Sequence, residues 1–186
     1  TVIPVFVTAG IHVDGLLDTS DALSSWQERT RRLEILKDSH AGAFAIITAC
    51  VYFILWLGAW SQLLGDHDGI MSIGFMMSRC LSGIGVIIFP KARTDGTVAE
   101  FSRNASEIVA RNVLIVMLAA LAVLMIWINP VKGALAAVTA LLVFWWYHHM
   151  AMKYFGGTTG DLSGFFLCIC EVVMALVLGI SGIVIL

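Results

Sequence analysis

Charged residues are scarce in this chain. Asp, Glu, Lys and Arg make up 13% of its 186 residues, about half of the roughly 25% that soluble domains carry. Basic residues interleaved with aromatic ones are missing, so we expect no nucleic-acid partner. The four cysteines all lie in apolar segments, and Cys168 and Cys170 are two positions apart on a predicted helix and do not face each other. This spacing argues against a disulfide framework or a cysteine metal site.

Long apolar runs take the place of charge. Hydrophobic residues make up 59% of the chain, and the mean hydropathy is +0.92. A membrane-spanning helix needs roughly 20 mostly apolar residues, and five stretches qualify: 44–64, 71–89, 112–128, 131–150 and 165–186. Residues 2–9 are typical of the end of a preceding span, and the chain does not begin with Met. We therefore predict an all-α, polytopic integral membrane protein with a single membrane domain over 1–186, lacking N-terminal helices.

The basic residues are confined to three polar segments, 11–43, 90–111 and 151–164. Nine of the eleven Lys and Arg residues lie there, one (Lys132) lies in the opposite connection, and Arg79 lies inside a span. Because Lys and Arg accumulate on the cytoplasmic side of a membrane, this distribution places all three segments in the cytoplasm. The segment 11–43 is then the predicted catalytic segment, and the other two complete the site.

The most acidic part of the chain is the segment 11–43. Asp14 and Asp18 are four positions apart and Asp21 follows after three more, so their carboxylates share one face of a helix. Carboxylates that close repel one another unless they are protonated or bridged by a cation. A hard divalent ion such as Mg²⁺ takes oxygen ligands of this kind. The alternative is a solvated acidic helix face.

Two ionisable residues are predicted inside the membrane. Arg79 interrupts the second span and Glu171 the last one, and an unpartnered charge at that depth costs several kcal/mol. Arg79 either points into a polar cavity, where it binds a carboxylate or phosphate, or forms a structural salt bridge, for which Glu171 is the candidate partner. Both interpretations require a polar interior.

Further basic and glycine-rich motifs lie in the predicted cytoplasmic segments. Lys91 and Arg93 follow a span directly, as topology anchors or as part of an anion-binding wall. In the last segment, glycines at 156, 160 and 164 allow close packing of a helix or approach of a ligand, and Asp161 among them favours a site, because packing alone needs no carboxylate. Lys37 and His40 flank Asp38 at the end of the first segment.

Taken together, these motifs resemble the cobalamin synthase family, the adenosylcobinamide-GDP ribazoletransferases. The resemblance is carried by the pattern HxDGLxDTxD at 12–21, by 33–39 with Gly42, by Arg79, by 90–93 with Gly96, and by 156–161 with Gly164 and Glu171. It implies that adenosylcobinamide-GDP reacts with α-ribazole or its phosphate in a Mg²⁺-dependent transfer that releases GMP. It also implies a bacterial cytoplasmic (inner) membrane location with the site facing the cytoplasm, and it leaves a homodimer open.

The resemblance assigns roles to individual residues. Asp14, Asp18 and Asp38 are expected to be catalytic, with Asp38 either a further ligand or the base that deprotonates the attacking hydroxyl. The expected Mg²⁺ ligands are Asp14, Asp18, Asp21 and Asp38. The expected substrate and phosphate ligands are His12, Lys37, Arg79, Arg93, Gly157, Asp161 and Glu171.

Departures from the family pattern leave alternatives. The chain has Ala22 and Ala45 where the family usually has glycine, His40 where it has arginine, and Cys168 where glutamate is frequent. His40 weakens phosphate binding at its position unless it is protonated or Lys37 substitutes for it.

The runner-up function is that of a CDP-alcohol phosphotransferase of phospholipid synthesis, although the DGxxAR segment of that family is absent here. A second alternative is a non-enzymatic transporter component.

Overall fold

Regular structure in this protein is helical. The computed structural model describes residues 2–38, 40–63, 69–93 and 107–184. Within these ranges the helices are α1 (Ile3–Val7), α2 (Ile11–Ser24), α3 (Arg29–Ile35), α4 (Ala43–Leu63), α5 (Ile70–Ile88), α6 (Glu107–Ile128), α7 (Pro130–Tyr154) and α8 (Gly160–Val184). In the same described ranges, one isolated bridge links Lys91 and Thr158. The predicted all-α architecture is confirmed.

Five of these helices, α4 to α8, are long and apolar enough to cross a membrane. The bounds of α4 and α5 agree with the predicted spans to within one residue. The chain is therefore a multi-pass membrane protein. All four cysteines are free, and only Cys50 is exposed.

The turn between α6 and α7 is fixed by local chemistry. Asn129 caps α7 because its side-chain oxygen accepts the backbone N–H of Lys132 at 3.1 Å, and Pro130 occupies the first helical position, where its missing N–H does no harm. Gly133 lies so close to α6 that an added Cβ would be 2.2 Å from the carbonyl oxygen of Met125. The break predicted at Asn129 and Pro130 is confirmed.

Helix α8 lies at the centre of the bundle. It packs against α2, α4, α5 and α7, and 67% of its membrane-spanning window is buried, compared with 11% for α6 at the periphery. Within lipid, helices associate mainly by close van der Waals packing of small residues. Ala136 and Ala140 of α7 are spaced by four and fully buried, as is Ala175 of α8. Helix α2 packs against α8, and the start of α8 lies against the start of α2 at one end of the bundle.

Three predicted boundaries differ from the structure. Helix α6 begins at Glu107 and not at 112. Helix α7 continues to Tyr154 and α8 begins at Gly160, so the last connection covers 155–159 and not 151–164. Asp161 and Gly164 thus belong to the first turns of α8, because hydropathy marks only where the apolar part of a helix begins. Gly96 and Arg103 lie outside the described residues.

Candidate active site

Two glycines bring α2 and the start of α8 into backbone contact. A Cβ added to Gly15 would lie 2.5 Å from the carbonyl oxygen of Asp161, and one added to Gly164 would lie 3.2 Å from the Cα atom of His12. Only glycine permits so close an approach at Gly15. Because Asp14 is its neighbour, the crossing places the Asp14 and Asp161 carboxylates in the same region.

Asp18 lies at the centre of the acidic cluster formed by Asp14, Asp18, Asp21, Asp38 and Asp161. Partial burial raises the pKa of Asp18, and the negative charges of Asp14, Asp161, Asp21 and Asp38 raise it further, to about 7. Carboxylates from two helices and from the segment after α3 therefore act on one another. This is the largest concentration of negative charge that the described residues show.

The cluster has the ligand chemistry of a divalent-cation site, but its side chains are spaced too widely to hold an ion. Its donors are carboxylate oxygens, the ligands that Mg²⁺ and Ca²⁺ prefer. In the described ranges, however, no three His, Cys, Asp or Glu side chains lie close enough together to hold a metal ion. The negative charges of four neighbouring carboxylates nevertheless act on Asp18, and a bound cation would offset them. By this test the donor set fits a hard cation.

Asp21 caps the N-terminus of α4. Its two carboxylate oxygens accept the backbone N–H groups of Gly42 at 2.5 Å and Ala45 at 2.8 Å. A negative charge is favourable at this position because of the helix dipole. A Cβ at Gly42 would lie 2.7 Å from the Asp21 carboxylate, so Gly42 is needed for this contact. Asp21 was predicted as a Mg²⁺ ligand, and the structure places it where it also orients a membrane-spanning helix.

Asp38 pairs with His40 at the exposed edge of the cluster. One Asp38 oxygen accepts the backbone N–H of His40 at 3.0 Å and lies 2.7 Å from its Nδ1 atom. These hydrogen bonds lower the pKa of Asp38. Lys37 is exposed beside them. The His40 imidazole thus lies beside the acidic cluster. The sequence predicted Asp38, and not His40, as a site residue.

Arg79 and Glu171 form the buried ion pair that was one of the two predicted alternatives. The Arg79 guanidinium donates to Glu171, and Ser78 bonds to both partners, at 2.9 Å from Arg79 and 3.0 Å from Glu171. Partial burial lowers the pKa of His12, and the charge of Arg79 lowers it further. Arg79 therefore lies near the start of α2, with 37% of its side chain exposed, and it is compatible with a role in the site.

Gly157 lets two loops pair at their backbones. The N–H of Thr158 donates to the carbonyl of Pro90 at 2.8 Å, and the N–H of Ala92 donates to the carbonyl of Thr158 at 3.0 Å. A Cβ on Gly157 would lie 2.3 Å from the Pro90 carbonyl oxygen. Gly157 was predicted to bind phosphate, and the structure places it against this neighbouring loop.

Arg93 and Lys91 have different environments. Lys91 donates to the carbonyl groups of Val86 and Phe89 at the end of α5, and partial burial lowers its pKa. Arg93 donates from Nη2 to the Leu33 carbonyl at 2.5 Å, and its charge acts on Asp161. Lys91 therefore terminates a helix, whereas Arg93 supplies positive charge at the acidic cluster.

Arg29 lies beside the glycine-rich loop, a contact that no pattern in the sequence predicted. Gly156 adopts a φ of 71°, and a Cβ there would lie 2.0 Å from the guanidinium carbon of Arg29. Only the run of glycines signalled that something approaches this loop closely. Its partner in α3 is far away in sequence and was not predictable.

Comparisons with known proteins agree with one another. The family model described as cobalamin-5-phosphate synthase matches residues 1–179. Two similar proteins are named adenosylcobinamide-GDP ribazoletransferase. The one from Lachnoclostridium phytofermentans is 43% identical over 100% of this chain and 71% of its own length. The one from Pseudomonas syringae pv. tomato is 30% identical over 93% of this chain and 70% of its own length. The protein of that name from Desulfitobacterium hafniense is 32% identical over 85% of this chain and 63% of its own length. No solved structure matches the chain.

Proposed function

The chain belongs to the cobalamin-5-phosphate synthase family, and from this premise we propose that it joins adenosylcobinamide-GDP to α-ribazole or its 5′-phosphate. In this reaction a ribose hydroxyl attacks the cobinamide-bearing phosphorus, and GMP leaves. The chain is thus an enzyme of the transferase class, as the names of its relatives support. The observation that carries the proposal is the close crossing of α2 and α8 at Gly15 and Asp161, where carboxylates from segments 11–43 and 151–164 act on Asp18.

The acidic cluster gives this end of the bundle its chemistry. We assign Asp14, Asp18 and Asp161 to a Mg²⁺ ion that would draw the three carboxylates closer together than they lie here, because Asp21 is engaged at α4 and Asp38 at His40. When bound, such an ion supplies positive charge to the diphosphate of the donor substrate. In this assignment Asp21 contributes negative charge and keeps α4 in place.

Positive side chains complete the site. Phosphoryl transfer spreads negative charge over the equatorial oxygens of the transferring group, and stabilising that charge is most of the catalytic task. Arg93 acts on the cluster from the loop after α5, and Arg79 lies close enough to His12 to lower its pKa. We assign both guanidinium groups to the phosphate oxygens, with Glu171 orienting Arg79.

The Asp38–His40 pair is assigned to the proton of the attacking hydroxyl. Asp38 accepts the hydrogen bond of Nδ1, which selects the imidazole tautomer with Nε2 free to accept a proton. A carboxylate whose pKa is lowered is itself a weak base. In this proposal Asp38 orients the imidazole, and His40 accepts the proton of the attacking hydroxyl. The histidine that replaces the family's arginine at position 40 therefore has a catalytic role.

We place the site on the cytoplasmic face of a bacterial inner membrane. This orientation is supported by the distribution of Lys and Arg along the sequence, and the lipid bilayer is a partner through α4 to α8. All the assigned side chains come from one chain, so a second copy is not required, although a homodimer is compatible with the proposal. Labelling an engineered E34C variant in intact cells with a membrane-impermeant maleimide tests the orientation, and labelling from outside would contradict it.

The function is tested with the full chain in liposomes, supplied with adenosylcobinamide-GDP, α-ribazole and MgCl₂. We expect GMP release that depends on both substrates and on Mg²⁺. Asp14→Asn should lower the rate at least about 100-fold, a typical cost of losing a group that stabilises transition-state charge. Glu34→Gln is the matched control, because Glu34 is an exposed acid paired with Arg31 outside the cluster.

Two outcomes would contradict the proposal. If the Asp14→Asn variant releases GMP at the full rate, the acidic cluster does not take part in the reaction. Activity with a CDP-linked donor and an alcohol acceptor, in place of adenosylcobinamide-GDP, would instead support a phospholipid-type transferase.

A further inference from the structure

A cavity lies at the same end of the bundle as the acidic cluster, between α2, α3 and α7. Its volume is about 480 Å³. Leu23, Trp26 and Trp146 provide apolar and aromatic walls, and Arg32 and Lys153 provide positive charge. Aromatic and basic side chains next to the end of a membrane-spanning helix are typical of the lipid headgroup region. None of the assigned catalytic residues lines it.

The cavity faces away from the acidic cluster. Leu23 lies nine residues after Asp14 and five after Asp18, which corresponds to rotations of about 180° and 140° around a helix with 3.6 residues per turn. The carboxylates and the cavity are therefore on different faces of α2. A ligand in the cavity would not be the reacting diphosphate.

The charge of the cavity is one-sided. The Arg32 guanidinium carbon lies 4.7 Å from the centre of the Tyr154 ring, and the Lys153 Nζ atom lies 5.0 Å from the same point. No carboxylate is among the lining residues. Two cations held at one aromatic ring repel each other, and an anion between them would relieve the repulsion.

Arg32 carries an unused hydrogen-bond donor. Only 9% of the residue is exposed, and among the described residues its Nε atom is buried without a hydrogen-bond partner. A buried donor without an acceptor is destabilising. Because Arg32 lines the cavity, a phosphate there would pair with its guanidinium group through a charge-assisted hydrogen bond.

Trp26 forms an exposed rim beside this charge. Its backbone φ of 53° is uncommon for any residue except glycine, and 89% of the side chain is exposed. Tryptophan is favoured where membrane and water meet, because its ring is apolar and its N–H is polar. Trp26 thus presents an exposed aromatic side chain at the edge of the cavity.

We propose that this cavity binds the headgroup of an anionic phospholipid, such as phosphatidylglycerol, from the leaflet on the side of the acidic cluster. Arg32 and Lys153 bind the phosphate, and the walls formed by Leu23 and Trp146 accommodate the glycerol backbone. Basic pockets between membrane helices are known to take such headgroups. This site is independent of the proposed reaction.

Native mass spectrometry of the full chain, titrated with phosphatidylglycerol or phosphatidylcholine, tests the proposal. We expect at least tenfold tighter binding of one phosphatidylglycerol. Lys153→Gln should weaken that binding about fivefold, corresponding to roughly 1 kcal/mol for one basic residue near a lipid surface, without changing phosphatidylcholine binding. Lys153 is exposed, so this variant is less disruptive than one at the buried Arg32.

Arg111→Gln is the matched control, because Arg111 is an exposed cation near the start of α6 and does not line the cavity. It should leave phosphatidylglycerol binding unchanged. Equal affinity for the two lipids, or equal losses in the two variants, would overturn the proposal. Displacement of the lipid by millimolar inorganic phosphate would show that the cavity selects a free phosphate and not a headgroup.

Discussion

The carboxylate of Asp21 accepts a hydrogen bond from the backbone N–H of Gly42 at 2.5 Å, and thereby ties α2 to the start of α4. Its second oxygen accepts the N–H of Ala45. One side chain thus belongs to the acidic cluster and caps a membrane-spanning helix. The position of α4 and the charge of the cluster are therefore linked through a single residue.

Replacing Asp21 should be costly for stability. Asp21→Ala removes both hydrogen bonds to the α4 terminus, and we expect the free energy of unfolding to fall by about 1–2 kcal/mol, as for the loss of a helix cap. Thermal unfolding of the purified protein in detergent measures this loss. Asp14→Ala is the comparison, because it removes a carboxylate from the same cluster and leaves the cap intact. Equal melting temperatures for Asp21→Ala and the unaltered protein would show that the cap contributes little.

Asp18 should make the metal-free protein less stable as pH rises. Its pKa is raised in the folded state from 3.8 to about 7, so the folded state binds a proton that the unfolded state releases. The contribution of Asp18 to the free energy of unfolding is fully present below about pH 4 and is lost as pH rises through 7. We expect the melting temperature in EDTA to fall between pH 5 and pH 8.

Asp18→Asn should remove most of that pH dependence and raise the melting temperature at pH 8, because an amide carries no charge for the neighbouring carboxylates to repel. Glu34→Gln is the control, since Glu34 is exposed and paired with Arg31. An Asp18→Asn variant whose melting temperature keeps the original pH dependence would assign the effect to other groups.

Gly157 should be intolerant of a side chain. Gly157→Ala places a Cβ 2.3 Å from the Pro90 carbonyl oxygen, whereas a Cβ at Gly58 meets nothing within 4 Å. We expect Gly157→Ala to lower the free energy of unfolding by about 1–3 kcal/mol through overpacking. Gly58→Ala, in the middle of α4, should be neutral or stabilise the helix by up to about 1 kcal/mol. If both variants unfold alike, the two loops do not pair as described.

The membrane spans and the acidic helix could be predicted because they depend on local sequence. Hydropathy located α4 and α5 to within one residue, and Asn129 with Pro130 identified the turn before α7. The spacing of Asp14 and Asp18 indicated one helix, and α2 confirms it. Each of these features is determined within about 20 neighbouring residues.

The remaining features depend on contacts between distant segments. Nothing near Asp21 in the sequence indicates that its partners are 21 and 24 residues away. Gly157 was predicted to bind phosphate because a glycine is required wherever another group lies against the backbone. The sequence does not show whether that group is a ligand or a neighbouring loop. Arg79 required a partner, and the sequence offered both Glu171 and a substrate phosphate.

A double variant separates the structural and catalytic roles of Arg79. Changing Arg79 alone leaves the buried Glu171 carboxylate unpaired, which typically costs about 3–5 kcal/mol. Changing Glu171 alone should cost less, because 37% of the Arg79 side chain is exposed to solvent. Replacing both together, as Arg79→Met with Glu171→Leu, should recover most of that stability in thermal unfolding. If Arg79 also binds phosphate, the folded double variant should release GMP with a raised KM or a lowered kcat. Unchanged kinetics in this variant would leave Arg79 with a structural role alone.

His40 is expected to act on the attacking hydroxyl and not on phosphate. Its Nδ1 atom lies 2.7 Å from Asp38, and its side chain is 90% exposed, so its replacement should leave the fold unchanged. We expect His40→Gln to lower kcat about 100-fold, a usual contribution of general base catalysis, with little change in KM. Asp38→Asn should lower kcat less, because the imidazole remains. His40→Arg decides between the two roles: it should stay inactive if His40 accepts a proton, and recovery of activity with a lowered KM would assign position 40 to phosphate binding.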